Sequence, residues 1–506
     1  MNVFRSCQEL EYAILEVAKR KAEEFHLYHN YMVIEERKNG LRLLNSPKKY
    51  IHIPSEWNES KLFNPFYIIK HVKYISKRIY AKLQDGSYVP HPPYMRTIPK
   101  SNGKERSISI YQIPDDAISR KVFSQLLSKN KHRFSGLSYA YRDDRNAHYA
   151  IQDISQDLSK YPRMFLSEFD FSDFFNSISH DYLIAQLDRN SFSISQAERA
   201  IIQAFLKNRS GGVPQGTSIS LFLANIACWD LDRNLEREGV RFARYADDTL
   251  IWSDSYERIC ATFNIMHDFS LASGVSINAV KSEGISLLSE QGYTSEIKKN
   301  KTSVNFLGYN ICHTNVGIKE SSVNNIKKQV SYLLYKNLLQ PLMDGSDNAR
   351  CNPGHDDEGA FASAIHQVRR YAYGDLSEFT LTNYIKGNYK HLQFKGVMSY
   401  YPLVTNEAQL KALDQWMVST ILNVLNLRNN LLSSVYGTQA SKFPYNLDAS
   451  SLVKECKRRR RDIKGKGLIK AFEIPSFLRI NKAIRIGIKN EGILAVVNAR
   501  ADSYDY

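Results

Sequence analysis

The chain has 506 residues with 43% apolar side chains, enough for about three structural units at roughly 100–200 residues each and too apolar for wholesale disorder. Lys and Arg number 68 against 52 Asp and Glu, so the net charge is +16, an excess that points to a polyanionic partner, nucleic acid or anionic membrane surface alike. No apolar run reaches the ~18–20 residues of a membrane span, and the opening residues lack a signal-peptide core, so integral membrane and secreted classes are set aside and a cytoplasmic chain is expected.

Residues 1–30 read as a helix, with Leu10, Ile14, Leu15, Val17 and Ala18 at helical spacing. From 85 to 115, Gly and Pro punctuate short β-type runs, and Arg96 to Ile110 reads as a hairpin turning at Asn102-Gly103. Helical periodicity resumes from Asp116 to about Lys129. Met164 to Phe171 alternates as a half-buried strand should. One helix follows Ser179 and another starts after Thr217. Arg241 to Trp252 is strand-rich but broken by Asp247-Asp248, and Asn305 to Tyr309 is a third strand segment. Beyond about 320 the pattern is helical, interrupted at 344–359 by a Gly-, Pro- and Asp-dense stretch that reads as an exposed loop. The order suggests an α+β catalytic body followed by an all-helical C-terminal part. Six scattered cysteines form no CxxC pair, which argues against a zinc site or a disulfide framework.

The informative residues are acids. Asp170 ends an apolar strand, where an unpaired carboxylate is costly. Asp247 and Asp248 sit together among β-formers and repel each other unless a cation neutralises them; the other reading is a pair of turn-formers at a hairpin tip. Mg²⁺ is the simplest such cation, because it takes carboxylate oxygen and keeps water or phosphate as its other ligands. Two such ions about 4 Å apart would activate a 3′-hydroxyl and stabilise leaving pyrophosphate.

These segments resemble a family. Tyr245-Ala-Asp-Asp248 is similar to the YxDD box of reverse transcriptases, and Phe169-Asp170 through Ile178 resembles their first catalytic strand-turn. Gly212-Val-Pro-Gln215-Gly216 is similar to the segment between the two. Gly274 to Ser282 resembles the motif that follows, Phe306-Leu307-Gly308-Tyr309 the primer-side hairpin, and Ile98 to Asp116 the fingers. With the fingers counted as two segments, Ile98-Pro-Lys100 with Arg106 and Ile113-Pro114 through Asp116, seven segments in order span residues 95–310. The resemblance implies a right-hand polymerase with fingers and palm over 91–315, after an N-terminal helical extension (1–90). It further implies a helical thumb with an inserted loop (316–440), then a basic C-terminal region and tail (441–506).

The resemblance also implies roles. Asp170, Asp247 and Asp248 are the expected catalytic acids and the ligands of two Mg²⁺ ions, with the Phe171 backbone as a further ligand and Asp248 the weaker partner. Phe175 matches an aromatic gate that would collide with a ribose 2′-hydroxyl, against the alternative of an ordinary core Phe. Lys100 and Arg106 would hold the incoming deoxynucleoside triphosphate as point charge and fork, whereas Lys104 reads as a solvated loop charge. Gln215 would lie against the nucleotide or template base, with Gly211, Gly212 and Gly216 allowing close backbone approach. Lys281 is a proton donor to pyrophosphate or a surface lysine.

The implied activity is RNA-directed DNA polymerisation, copying an RNA template with dNTPs into a DNA product. Length, the lack of a Val-Thr-Gly signature and the lack of an endonuclease module make the chain similar to bacterial defence-associated, unknown-group reverse transcriptases. That likeness implies a companion noncoding RNA, an antiphage role and a homo-oligomer. The alternatives are a template-independent or protein-primed nucleotidyltransferase making repetitive DNA, and a catalytically idle RNA-binding scaffold. Arg458, Arg459, Arg460 and Arg461 sit in a dense basic cluster that is either an RNA-binding strip or a solvated helix face. The terminal Ser503, Tyr504 and Tyr506 are either a frayed tail or the source of a priming hydroxyl.

Overall fold

The central strands are buried along most of their length, and the strands run in chain order as follows. β1 (Tyr94–Pro99) and β2 (Glu105–Ile110) form the expected antiparallel hairpin, with Ile98 opposite Arg106. The structure, a computed structural model, describes residues 3–42, 48–99, 103, 105–207, 209–290, 292–293, 295, 297–343, 357–389, 391–438, 441–458, 460–461, 468–469 and 472–497. Lys100 and Lys104 therefore lie outside the described residues. β3 (Arg163–Phe169) stops one residue before Asp170, and β4 (Phe171–Ser172) belongs to a different sheet. The single strand expected over 164–171 is thus two, broken at the carboxylate. β5 (Arg241–Tyr245) and β6 (Asp248–Ser253) are the arms of the second hairpin. β7 (Ser276–Ile277) pairs with β4, and β8 (Gly284–Ser289) runs antiparallel to β3, with β9 (Asn300–Lys301) parallel at its far edge. The main sheet therefore has the order β5-β6-β3-β8-β9.

The chain divides into two compact units, Met1–Tyr31 with Tyr50–Thr302, and Met32–Lys49 with Ser303–Tyr504. In the first, helices Ile113–Asn130 and Ser218–Ala227 pack together, and helix Tyr256–Ser273 lies on β3 and β6. The N-terminal residues Phe4, Leu10, Ile14, Ile68 and Val72 join the same core as Ile118, Phe222 and Phe175. The first helix is longer than its periodicity suggested, Cys7–Arg42. Local chemistry sets several helix starts: the Ser179 hydroxyl caps His180–Arg189, and Ser195 with Glu198 forms a reciprocal capping box. Among the described residues, no helix is long and apolar enough to cross a membrane.

The second unit begins with a meander, β10 (Val304–Phe306), β11 (Tyr309–Ile311) and β12 (Val316–Ile318). Its first tip is the two-residue turn Leu307-Gly308, both at positive φ (46° and 81°), which matches the twist of the strands it joins. Helices Glu320–Leu334, Asp357–Tyr373, Glu378–Ile385, Glu407–Tyr436 and Phe477–Glu491 follow. The loop expected at 344–359 ends earlier than its composition suggested, because Asp357 opens a helix. Its carboxylate accepts from Arg428 (2.8 Å) and from the Tyr445 hydroxyl (2.8 Å), while Arg428 also donates to the Leu338 carbonyl (2.6 Å). Residues 344–356 lie outside the described residues.

Helix Phe477–Glu491 buries Phe477, Ile480, Ala483 and Ile484 against helix Glu407–Tyr436. Asp414 fixes its start, accepting from the Ser476 hydroxyl (2.5 Å) and the Phe477 amide (2.6 Å). Burial pushes the Asp414 carboxyl above the ordinary range, against these donors. Asp414→Ala strands those donors and should cost about 1–2 kcal/mol. Calorimetry should show a lower melting midpoint, with Asp414→Asn recovering part of the loss; an unchanged midpoint for Asp414→Ala would contradict the capping role.

Candidate active site

The β5–β6 hairpin is closed by Tyr245 opposite Asp248, which leaves Ala246 and Asp247 as its turn. Ala246 adopts φ +58°, a left-handed conformation that costs an L-residue roughly 1–2 kcal/mol. The strand residue two positions before Ala246 provides the brace. Arg244 is fully buried, and its guanidinium donates to the Ala246 carbonyl (3.2 Å). It also grips both oxygens of Asp232 (2.7 Å each) and the Ser138 hydroxyl (2.6 Å). Its backbone bridges to the segment before helix Ala147–Leu158, through Leu137 (3.0 Å) and Tyr139 (2.9 Å). Burial raises the Asp232 carboxyl above its usual range, and the bidentate guanidinium works against that rise.

Asp170 lies between β3 and β4 and is held by the stretch after β7. Its amide donates to the Ser282 hydroxyl (3.2 Å), and its carbonyl accepts from the Asn278 amide (2.8 Å). Its carboxylate accepts from the Asn278 side chain (2.9 Å) and pairs with the Lys281 ammonium (3.0 Å). Lys281 is held above its ordinary pKa by the hydrogen bond to Asp170, with partial burial opposing and the charges of Asp170, Asp248 and Asp247 adding. All three acids therefore act on one ammonium. Asp247 is raised by burial and by the neighbouring Asp170 charge, with Lys281 and Arg106 opposing. Arg106 on β2 thus contributes positive charge to the same centre. Asp248 is exposed at the start of β6.

The segment before helix Ser218–Ala227 is packed against both neighbours. The Gln215 carbonyl accepts from the Ser109 amide (2.7 Å), tying it to β2, and the Phe175 carbonyl accepts from the Val213 amide (2.6 Å). A Cβ on Gly212 would stand 2.4 Å from the Asn176 carbonyl oxygen, and one on Gly216 2.4 Å from that of Ser109. Close approach is real at those two glycines. Gly211 faces open space. Phe175 is buried, its ring edge-on to Phe174 (5.6 Å) and Tyr141 (6.3 Å). Phe171 pairs with Ile277, and its ring stacks on Phe174 (5.7 Å).

Residues 98–311 match the model of the reverse transcriptase (RNA-dependent DNA polymerase) family. This span carries the chain's similarity to reverse transcriptases. YkfC of Escherichia coli K12 is 28% identical over 191 residues, covering 35% of this chain and 49% of that protein. The group II intron-encoded protein LtrA of Lactococcus lactis subsp. cremoris is 29% identical over 201 residues, covering 38% of this chain and 32% of that protein. The chain thus spans half or less of the length of these two curated relatives. A solved telomerase from Candida albicans, in complex with a fragment of telomeric RNA, aligns over 74% of this chain and 67% of that one, at 14% identity and a TM-score of 0.35.

The remaining expected residues lie elsewhere. Phe306, Leu307, Gly308 and Tyr309 form the β10–β11 tip in the second unit, where the Tyr309 hydroxyl donates to the Tyr400 carbonyl (3.1 Å). Arg458 donates to Glu455 (3.0 Å), so part of its charge is spent locally. The backbone of Arg460 and Arg461 (β13) pairs with Leu468–Ile469 (β14). Arg459, Ser503, Tyr504 and Tyr506 lie outside the described residues. Sequence reasoning missed Arg244, Asp232, Ser138, Asn278 and Ser282. The signal for the first was present: an arginine within an apolar strand, one residue short of the acidic turn, must find a buried anion.

Arg244→Met leaves Asp232 buried and unpaired, which should cost about 3–5 kcal/mol. The double variant Arg244→Met/Asp232→Leu should recover most of that stability in denaturant titrations. It should not recover nucleotide incorporation, because the Ala246 carbonyl has lost its donor. Full activity in the double variant would show that the brace is dispensable.

Proposed function

We propose that the chain is an RNA-directed DNA polymerase, with Asp170 and Asp247 as the acids that hold divalent metal ions and Asp248 as an outer partner. The observation that carries the reading is that Asp170, whose carboxylate pairs with Lys281 (3.0 Å), lies close enough to Asp247 at the strained β5–β6 turn for its charge to raise the Asp247 carboxyl. The donor set suits hard cations. Among the described residues no three or more His, Cys, Asp or Glu side chains are grouped to hold an ion by themselves, and Mg²⁺ needs no such cage, since it binds through one or two carboxylates plus water and substrate phosphate. Two bound ions would activate the attacking hydroxyl and offset charge on the leaving group.

The chemistry forms a bond from a primer 3′-oxygen to the α-phosphorus of a dNTP and breaks the bond from that phosphorus to the β-phosphate bridging oxygen. The hydroxyl proton leaves to solvent. Lys281, protonated through its carboxylate neighbours, supplies a proton to the pyrophosphate. Arg106 faces the triphosphate with fixed positive charge, and Gln215 stands beside it on the segment bonded to β2. Phe175, braced by Phe174 and Tyr141, sets the space available at the sugar. The RNA template and DNA product are the macromolecular partners, and the helices from Glu320 onward serve as the thumb.

Asp247→Asn keeps the side-chain shape and removes one charge. Magnesium-dependent dNTP incorporation on a primed RNA should fall by at least about 100-fold, with RNA binding retained. Substantial incorporation by this variant would sink the assignment. Phe175→Ala should raise ribonucleotide relative to deoxynucleotide incorporation more than it lowers total activity. An unchanged ratio in competition assays would return Phe175 to a purely structural role.

A further inference from the structure

Helix Pro65–Gln84 has a composition that its place in the fold leaves unexplained. Residues 60–84 contain six Lys and Arg and no Asp or Glu. One side of the helix is apolar and buried, through Pro65, Ile68, Val72 and Ile75, in the core of the first unit. The other side exposes Phe66, Lys70, Lys73, Tyr74, Lys77, Arg78 and Lys82. Lys70, Lys73 and Lys77 follow helical spacing, so their charges line one face, and Lys70 to Lys82 spans about 18 Å. None of these five cations pairs with a carboxylate among the described residues, although Lys21, Lys129 and Arg96 in the same unit all do. Repulsion between like charges one turn apart is unfavourable. An anion laid along the face removes it.

One aromatic ring interrupts the charges. Tyr74 is 65% exposed with the Arg78 guanidinium 5.7 Å from its ring centre, whereas Phe66 packs against Phe25, His26 and Trp57. Exposed rings set among cations suit unpaired bases, which stack while their phosphates meet lysine. An anionic membrane fits poorly, because a surface-bound helix must offer its apolar side to lipid and here that side is buried in protein. We infer that the outer face of this helix is a docking surface for single-stranded RNA, holding its sugar-phosphate backbone on Lys70, Lys73, Lys77, Arg78 and Lys82 and a base on Tyr74. The choice of RNA rests on the reading of the chain as an RNA-copying polymerase.

Fluorescence anisotropy of the full chain with a labelled single-stranded RNA, between 50 and 300 mM salt and without dNTPs or metal, tests the face. The triple variant Lys70→Gln/Lys73→Gln/Lys77→Gln should lower the slope of log affinity against log salt by about 2, at ~0.7 for each phosphate contact in a single strand. The matching triple Lys→Arg variant should retain the parent slope. Tyr74→Ala should weaken RNA binding with the slope unchanged. An unaltered slope in the Gln variant overturns the proposal. So does a parent chain that holds the same sequence as DNA equally tightly with an equal loss in the variant, or one whose variant loses only binding to phosphatidylserine vesicles. Primer extension by the parent chain is measured separately: its absence would sink the polymerase reading, whereas an unaltered slope with extension intact would sink only the docking face.

Discussion

The buried ion pair between Arg244 and Asp232 is the constraint on which the site depends. A guanidinium taken fully out of water is tolerable only when its donors are nearly all used, and here they reach Asp232, Ser138 and the Ala246 carbonyl. That requirement ties together three stretches distant in sequence: the segment around Ser138, helix Trp229–Glu238 and the β5–β6 hairpin. The turn carrying Asp247 cannot shift without breaking one of these bonds. A left-handed alanine persists there because its surroundings overdetermine it.

The two sides of this hairpin follow opposite electrostatic rules. Inside, one cation meets one anion, and the other guanidinium donors reach Ser138, Asn225 and the Ala246 carbonyl. At the turn, Asp170, Asp247 and Asp248 share the influence of Lys281 and Arg106, and Asp247 is pushed toward its neutral form by burial and by Asp170. Such a centre gains from added positive charge. Asp170 is placed for it by the break between β3 and β4, where Asn278 and Ser282 take over the backbone bonds that a continuous strand would have used.

The excess of basic residues is spent unevenly. Lys301 is consumed by Glu168 and Glu283, and Arg428 by Asp357 in the second unit. The helix Pro65–Gln84 keeps its cations on an outer face while its inner face supplies core. One element thus contributes to stability with one side and presents charge with the other, the division that helical periodicity makes possible.

Much of this was legible in the chain itself. The Asn102-Gly103 turn signal marked the β1–β2 hairpin, β-formers on both sides of Asp247-Asp248 marked β5 and β6, and the placement of Asp170 and Asp247 among such residues singled out these acids, because turn chemistry and the cost of a carboxylate among apolar residues are local properties. Density of charge also drew attention to Arg458–Arg461, yet Arg458 is partly neutralised by Glu455. The face at Lys70–Lys77 gave no such cue, since its cations are diluted by the apolar residues of the buried side. Nor did the sequence name the partner of Arg244: an arginine in a strand declares that it needs an anion, but only tertiary packing brings Asp232, Ser138 and the Ala246 carbonyl within reach. The residue types and their local periodicity settled which elements form and which side chains are chemically costly. Packing alone decided how each cost is met, because the compensating groups come from segments that only the folded chain brings together.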